Sequence, residues 1–140
     1  MVSAISPILL VEDDPSLRDS LGQFLHDHGY RTVVARTARE GREMLRTARP
    51  WLCLLDLNLP DGSGLDLLKR LIQQRIDIRV VVMTAFDLQR LRPADMAGVL
   101  VGWLTKPVNP VDLLAIVMAE DQRRRSAAAA AQPEGQGHTI

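Results

Sequence analysis

A doubly wound α/β fold, built on a five-stranded parallel sheet, is predicted by three features of this 140-residue chain. Short apolar runs of strand length recur along it: "ILLV" (8–11), "TVVA" (32–35), "WLCLL" (51–55), "VVVM" (80–83) and "VLVGWL" (99–104). Between these runs, apolar residues return at helical spacing. Most of the runs are apolar at every position rather than at alternate ones, as happens when helices cover both faces of a sheet. Right-handed crossovers then give a (βα)5 unit.

Each element has its own justification. "ILLV" is the first strand, and Asp14-Pro15 starts the first helix: a capping residue before a proline whose missing N–H costs nothing at the first helical position. Leu17, Leu21, Phe24 and Leu25 form that helix's apolar stripe. After "TVVA", the sequence "TARE" (37–40) has the form of a capping box, and Ala38, Gly41, Leu45 and Ala48 make a thinner stripe. "WLCLL" leads to an Asp61-Gly62 turn, a second capping box in "SGLD" (63–66) and a helix with Leu65, Leu68 and Ile72 inward. After "VVVM" a fourth helix is expected in 86–98, where Pro93 ends or kinks it. "VLVGWL" is the fifth strand and an edge, and Asn109-Pro110 opens the last helix with Leu113, Leu114, Val117 and Met118. Beyond about Asp121 the sequence "QRRRSAAAAAQPEGQGHTI" offers nothing large to bury. Residues 1–121 are therefore expected to form the single domain, and 122–140 a disordered tail or linker.

Composition excludes several classes of function. Acidic and basic residues balance to a net charge of zero with no basic stripe, so direct nucleic-acid contact is not expected. No apolar run is long enough to span a bilayer, and the N-terminus has no signal-like core. The one cysteine, Cys53, lies inside an apolar run and fits a packing role in a reducing compartment, so the expected location is cytoplasmic.

In open α/β sheets, ligands gather beyond the carboxyl ends of the strands. Residues predicted there are Glu12 and Asp13 after the first strand, Asp56 and Asn58 after the third, Thr84 and Ala85 after the fourth, and Lys106 and Pro107 after the fifth. Crowded carboxylates repel one another unless a hard cation sits among them, and Mg2+ prefers such oxygen ligands. A carboxylate in that setting can also act as a nucleophile toward phosphorus, with an ammonium neutralising the phosphoryl oxygens. Lys106 suits the latter role, being one of two lysines beside fifteen arginines. Asp14 is explained by capping alone and Asp61 by its turn. Glu12 and Asp13 by themselves fit a solvated loop at a helix N-terminus. Their predicted convergence with Asp56 and Lys106 on one edge favours a site. His26, His28 and His138 have no ligand-like spacing, Trp51 and Phe24 read as packing residues, and Arg123 to Arg125 as a solvated helix end.

With "ILLVEDD", "LLDLNLPDGSGLDLL", "VVMTA" and "WLTKP" in this order, residues 7 to about 121 resemble the receiver domain of bacterial two-component response regulators. The resemblance implies a flavodoxin-like (βα)5 fold with strand order 2-1-3-4-5 that takes a phosphoryl group from a sensor histidine kinase or a histidine phosphotransfer protein. It implies that Asp56 is phosphorylated, and that Mg2+ is held by Glu12, Asp13, Asp56 and the backbone carbonyl of Asn58. Thr84 is then the residue that moves to the phosphoryl group, Lys106 pairs with it, Trp103 follows as the switch aromatic, and the Lys106-Pro107 bond is cis. Such a module is not an enzyme beyond its own phosphorylation and dephosphorylation. Its output surface is the face of the fourth helix, fifth strand and fifth helix, which also serves for homodimers.

The chain departs from that pattern in having Trp103 where the family usually has Tyr or Phe. It also carries the apolar "GVLVG" (98–102), one residue longer than usual, before the aromatic. This run either makes an exposed apolar patch or tucks into the core. Two alternatives to a stand-alone receiver remain: the receiver part of a longer regulator with a DNA-binding or enzymatic output domain, and a hydrolase working through an aspartyl phosphate. The latter needs a second acid/base carboxylate near the nucleophile, where this chain has Asn58. Neither GxxxxGK[ST] nor GxGxxG is present to suggest a nucleotide site.

Overall fold

The computed structural model describes residues 6–74, 76–85 and 98–130, with Ser63 described by its backbone alone. In chain order the elements are β1 (Ile8–Val11), α1 (Pro15–Asp27), β2 (Thr32–Ala35), α2 (Ala38–Thr47), β3 (Leu52–Asp56), β4 (Asn58–Leu59), β5 (Gly62–Ser63), α3 (Gly64–Gln73), β6 (Arg79–Thr84), β7 (Leu100–Thr105) and α4 (Pro110–Ala130). Five strands form one sheet in the order β2-β1-β3-β6-β7, all parallel. Counted among themselves they run 2-1-3-4-5, as expected. The Asp61-Gly62 turn closes a small antiparallel hairpin of β4 and β5 that stands apart from the main sheet. The expected helix of 86–98 lies, up to residue 97, outside the described residues, as do the Ser63 side-chain cap and His138.

The pleat divides the core in two. Leu9, Val11, Cys53, Leu55, Val80 and Val82 point to one face, where Leu67, Leu68 and Leu71 of α3 and Ala38 of α2 cover them. Ile8, Leu10, Leu52, Leu54, Val81 and Met83 point to the other, beneath Leu21 and Leu25 of α1 and Leu113 and Val117 of α4. Each of these fully buried leucines contributes about 1.5–3 kcal/mol from the area it withdraws from water. Burial pushes the Cys53 thiol up to about 12, so it remains a protonated packing group.

The helix starts follow the sequence. Asp14 Oδ1 accepts from Ser16 N at 3.0 Å, and Asn109 Oδ1 accepts from Val111 N at 2.9 Å. Thr37 Oγ1 accepts from Glu40 N at 3.0 Å, while Glu40 Oε1 reaches Arg36 N at 2.8 Å, one residue before the reciprocal partner of a standard box. Asp61 does more than shape its turn. Its two carboxylate oxygens accept from Ala38 N at 2.9 Å and Arg39 N at 3.0 Å, so donors at the start of α2 are satisfied by a residue from the β4–β5 hairpin. These bonds, the one from Ala38 first, hold the Asp61 carboxyl below the ordinary aspartate range.

One open alternative closes and one expectation changes. The extra residue in "GVLVG" is absorbed by a β-bulge: Val80 pairs with Leu100 and Val81 with Gly102, leaving Val101 unopposed, and regular pairing then resumes to Thr84↔Thr105. Val99 and Leu100 pack on the α2–α3 side and Val101 on the α1–α4 side, so the run is half-buried core rather than a free patch. The last helix does not fray at Asp121, because α4 continues to Ala130. Asp121 is buried and accepts from Tyr30 Oη at 3.2 Å, Arg124 Nε at 3.0 Å and Arg125 Nε at 3.1 Å. The Arg124 guanidinium lies 4.2 Å from the centre of the Trp51 ring. Arg124 and Arg125 are thus anchoring groups, not a purely solvated helix end, and the alanines after them are strong helix formers. Among the described residues no helix is long and apolar enough to cross a membrane.

Candidate functional site

At the carboxyl edge of the sheet, the chain carries its strands one step further than their apolar runs and places polar side chains there. Glu12 N donates to Ala35 O at 2.9 Å, which extends the β1–β2 ladder and fixes Glu12 with its side chain wholly buried. Glu12 Oε2 accepts from Asp14 N at 3.1 Å. Asp13 is exposed at the mouth of the site. Arg18, one turn into α1, donates from Nη1 to the Glu12 carbonyl at 3.2 Å and to that of Asp13 at a longer 3.4 Å, tying the acidic loop to the helix.

Asp56 is the last residue of β3, opposite Met83, and is 2% exposed. Its Oδ1 accepts from Asn58 N at 3.0 Å and its Oδ2 from Lys106 Nζ at 3.0 Å. Lys106 follows β7 directly. Its N–H donates to Thr84 O at 2.9 Å, and the Lys106–Pro107 peptide is cis, as the resemblance implies. The ammonium lies 2.9 Å from Glu12 Oε1 as well, bridging two buried carboxylates. Thr84 is fully buried at the end of β6, whereas Trp103, paired with Val82 in the ladder, leaves 52% of its surface in solvent. Glu12, Asp13, Asp56 and Lys106 are therefore brought together. Thr84 adjoins them through the backbone of Lys106, Asn58 through its N–H, and Trp103 stands outside.

Charge is unevenly balanced in this pocket, with three carboxylates against one ammonium. Burial is the largest influence on Glu12 and raises its pKa, with Asp56 adding to the rise and Lys106 opposing it. Burial pulls Lys106 downward, but its close pairing with the Glu12 and Asp56 carboxylates outweighs that and holds the ammonium above the ordinary lysine value. Glu12 Oε1 meets Lys106 as an ion pair by distance but without hydrogen-bond alignment, and it is left as a buried oxygen with no aligned donor. One oxygen each from Glu12, Asp13 and Asp56 lie within 4.8 Å of one another. An all-oxygen, multiply anionic donor set with an under-satisfied buried member fits a hard divalent cation such as Mg2+, which keeps part of its water shell.

Gly64 was not visible as a site residue from the sequence. A Cβ built on it would fall 2.1 Å from the Asp56 carbonyl oxygen and 2.8 Å from Leu57 Cα, so α3 approaches the acidic strand end as closely as backbone allows. Gly64 N also donates to Leu57 O at 2.9 Å. The signal available was a second glycine in "DGSGLD", which the Asp61-Gly62 turn does not require.

A 2-1-3-4-5 parallel sheet with an acidic cluster and a lysine on its carboxyl edge is the arrangement of receiver modules. Residues 8–118 match the response regulator receiver domain, and the chain belongs to that family, a component of two-component signalling. It is 39% identical over 102 residues to the response regulator protein PilR of Pseudomonas aeruginosa, covering 72% of this chain and 23% of PilR. It is 27% identical over 115 residues to the photosynthetic apparatus regulatory protein RegA of Rhodobacter capsulatus, covering 82% of this chain and 62% of RegA. The chain thus spans about three fifths of RegA and under a quarter of PilR. Among solved structures, it resembles a CheY-like response regulator receiver domain protein of Methanospirillum hungatei with a TM-score of 0.74 and 30% identity, over 87% of this chain and 98% of that one.

Proposed function

We propose that this chain is a phosphoacceptor module in which Asp56 receives a phosphoryl group from the phosphohistidine of a sensor kinase or a histidine phosphotransfer protein. The observation that carries the reading is the Lys106 ammonium, 3.0 Å from Asp56 Oδ2 and 2.9 Å from Glu12 Oε1, which sets a fixed cation beside a buried carboxylate nucleophile. In the transfer, the donor ring carries a proton on the nitrogen that does not bear phosphorus; its P–N bond breaks as a P–O bond to Asp56 forms, and the imidazole departs as a neutral ring that keeps that proton. Asn58 N and Lys106 Nζ orient the Asp56 carboxylate before attack, so little reorganisation is needed. Glu12, Asp13, Asp56 and the Asn58 carbonyl are the groups that would hold Mg2+, which when bound supplies positive charge to the phosphoryl oxygens.

Phosphorylation then biases a two-state element. Thr84 turns toward the phosphoryl oxygens, and Trp103 moves from its half-exposed position toward the space that Thr84 leaves, altering the surface around β7 and α4 read by a protein partner or a second copy. Hydrolytic turnover of phosphate esters is not expected, because the residue two beyond the nucleophile is an amide, Asn58. Incubation with phosphoramidate and Mg2+, followed by intact-mass measurement, should show one added phosphate that is lost in Asp56→Asn. A phosphate retained by that variant would remove Asp56 from the role.

A further inference from the structure

On the face of the sheet away from α1 and α4, helices α2 and α3 leave a groove of about 350 Å³ between them. Its lining is Leu45, Leu67, Leu71 and Ile76 below, Gln74 at one side, and the guanidinium-bearing Arg42, Arg46 and Arg70 around it. Ile76 is 37% exposed and is one of the few large apolar side chains in solvent among the described residues. The arginines stand on both banks. Arg42 and Arg46 are one turn apart on α2, about 6 Å along its axis, and Arg70 faces them from α3. Among the described residues no carboxylate lines the groove. Arg46 pairs with Glu43, on the exposed side of α2. The side chains of Arg42 and Arg70 make no ion pair or hydrogen bond with the described residues, apart from the longer-range attraction between Arg42 and Asp61.

We infer that this groove docks an acidic amphipathic peptide segment of a partner protein, with apolar side chains on Leu45, Leu67, Leu71 and Ile76 and carboxylates against Arg42, Arg46 and Arg70. Charge complementarity selects the occupant. An apolar floor alone would accept any hydrophobic surface, whereas cations on both banks repel a basic one. Their spacing along the groove also matches several carboxylates carried at helical intervals better than a single anionic head group. The groove is open and small enough to take two or three side chains, which suits a segment rather than a buried small ligand. Neither Asp56 nor Lys106 lines it, so the inference stands whether or not Asp56 accepts phosphate.

The test is a displayed library of random 16-residue peptides, selected against the folded chain and counter-selected against the double variant Arg42→Glu/Arg70→Glu. Both arginines are exposed, and a matching circular dichroism melt would establish that the variant is folded. Enriched peptides should be net acidic with apolar residues at i, i+3 or i+4, and i+7. They should bind roughly tenfold or more weakly to the double variant and lose affinity with salt. Amide shifts on binding should centre on Leu45, Leu71 and Gln74. Enrichment of basic or neutral peptides, equal binding to both proteins, shifts confined to other faces, or no enrichment above the variant background would each overturn the proposal. So would sedimentation showing that a second copy occupies the groove, or displacement of the enriched peptides by a short-chain fatty carboxylate that binds there more tightly.

Discussion

Replacing Gly64 by alanine should damage both stability and the acidic site, and the size of the effect can be worked from the backbone. The added Cβ would lie 2.1 Å from Asp56 O, 2.8 Å from Leu57 Cα and 3.0 Å from the Asp56 carbonyl carbon. Comfortable carbon contacts are ~3.5–4.0 Å, so the start of α3 must retreat by roughly 1 Å, and both neighbours are main chain that cannot rotate away. Overpacking of this kind costs ~3 kcal/mol, while alanine's better helix propensity returns at most ~1 kcal/mol at the first helical residue, leaving a net loss of about 2 kcal/mol. For a domain of this size that lowers Tm by roughly 6–10 °C. Because the retreat pulls on the peptide that carries Asp56, the carboxylate should also shift relative to Lys106. Denaturant and thermal melts would measure the first effect, and the rate of phosphoramidate labelling the second. A Gly64→Ala variant within ~0.5 kcal/mol of wild type and labelled at the normal rate would refute the close-approach argument.

Other outcomes are expected from the same geometry. Asp61→Ala should cost ~1 kcal/mol by exposing the Ala38 and Arg39 donors, and an equilibrium urea melt reads the difference. Since the folded Asp61 carboxyl is held below its ordinary value, its contribution is complete above the unfolded pKa of ~4 and is lost as pH falls through the folded one. The gap between wild type and Asp61→Ala should therefore close in acid. Mg2+ should raise Tm in the wild type and do so less in Asp13→Asn than in Asp14→Asn, because Asp14 is engaged with Ser16 N; equal losses would contradict that division. Ending the chain at Asp121 removes Arg124 and Arg125, and should cost ~1–2 kcal/mol and expose Trp51 to acrylamide quenching. Cys53 should react with a thiol reagent only as fast as the domain unfolds.

Glu12, Asp13, Asp56 and Lys106 could be placed on one edge from sequence because their positions follow from where apolar runs stop, and run ends are a local property. The strand order could be named only through the family resemblance, since alternating strands and helices fit several windings. Features that depend on meetings between distant segments were not legible. Asp61 reads as a turn residue until α2, 22 and 23 residues earlier, is known to start beside it. Asp121 reads as the edge of a low-complexity tail, but Tyr30, 91 residues away, covers it and makes two arginines into anchors. Likewise, the tightness around Gly64 lies in three dimensions, and a glycine beside a turn is commonplace.

The bulge at Val101 has a bearing on how such chains are compared and how they diverge. A strand of strict period would carry any inserted residue forward, turning Lys106 away from Asp56 and inverting every side chain on its way. Here the surplus is discharged one ladder step after it arises, and Thr105 still faces Thr84. The strand's length and the lysine's position are therefore separately heritable: the segment before the bulge can gain or lose a residue while the chemistry stays in register. An alignment of this chain with relatives lacking the insertion belongs open at Val101, and one drawn without that gap would name the wrong lysine neighbour and the wrong switch aromatic.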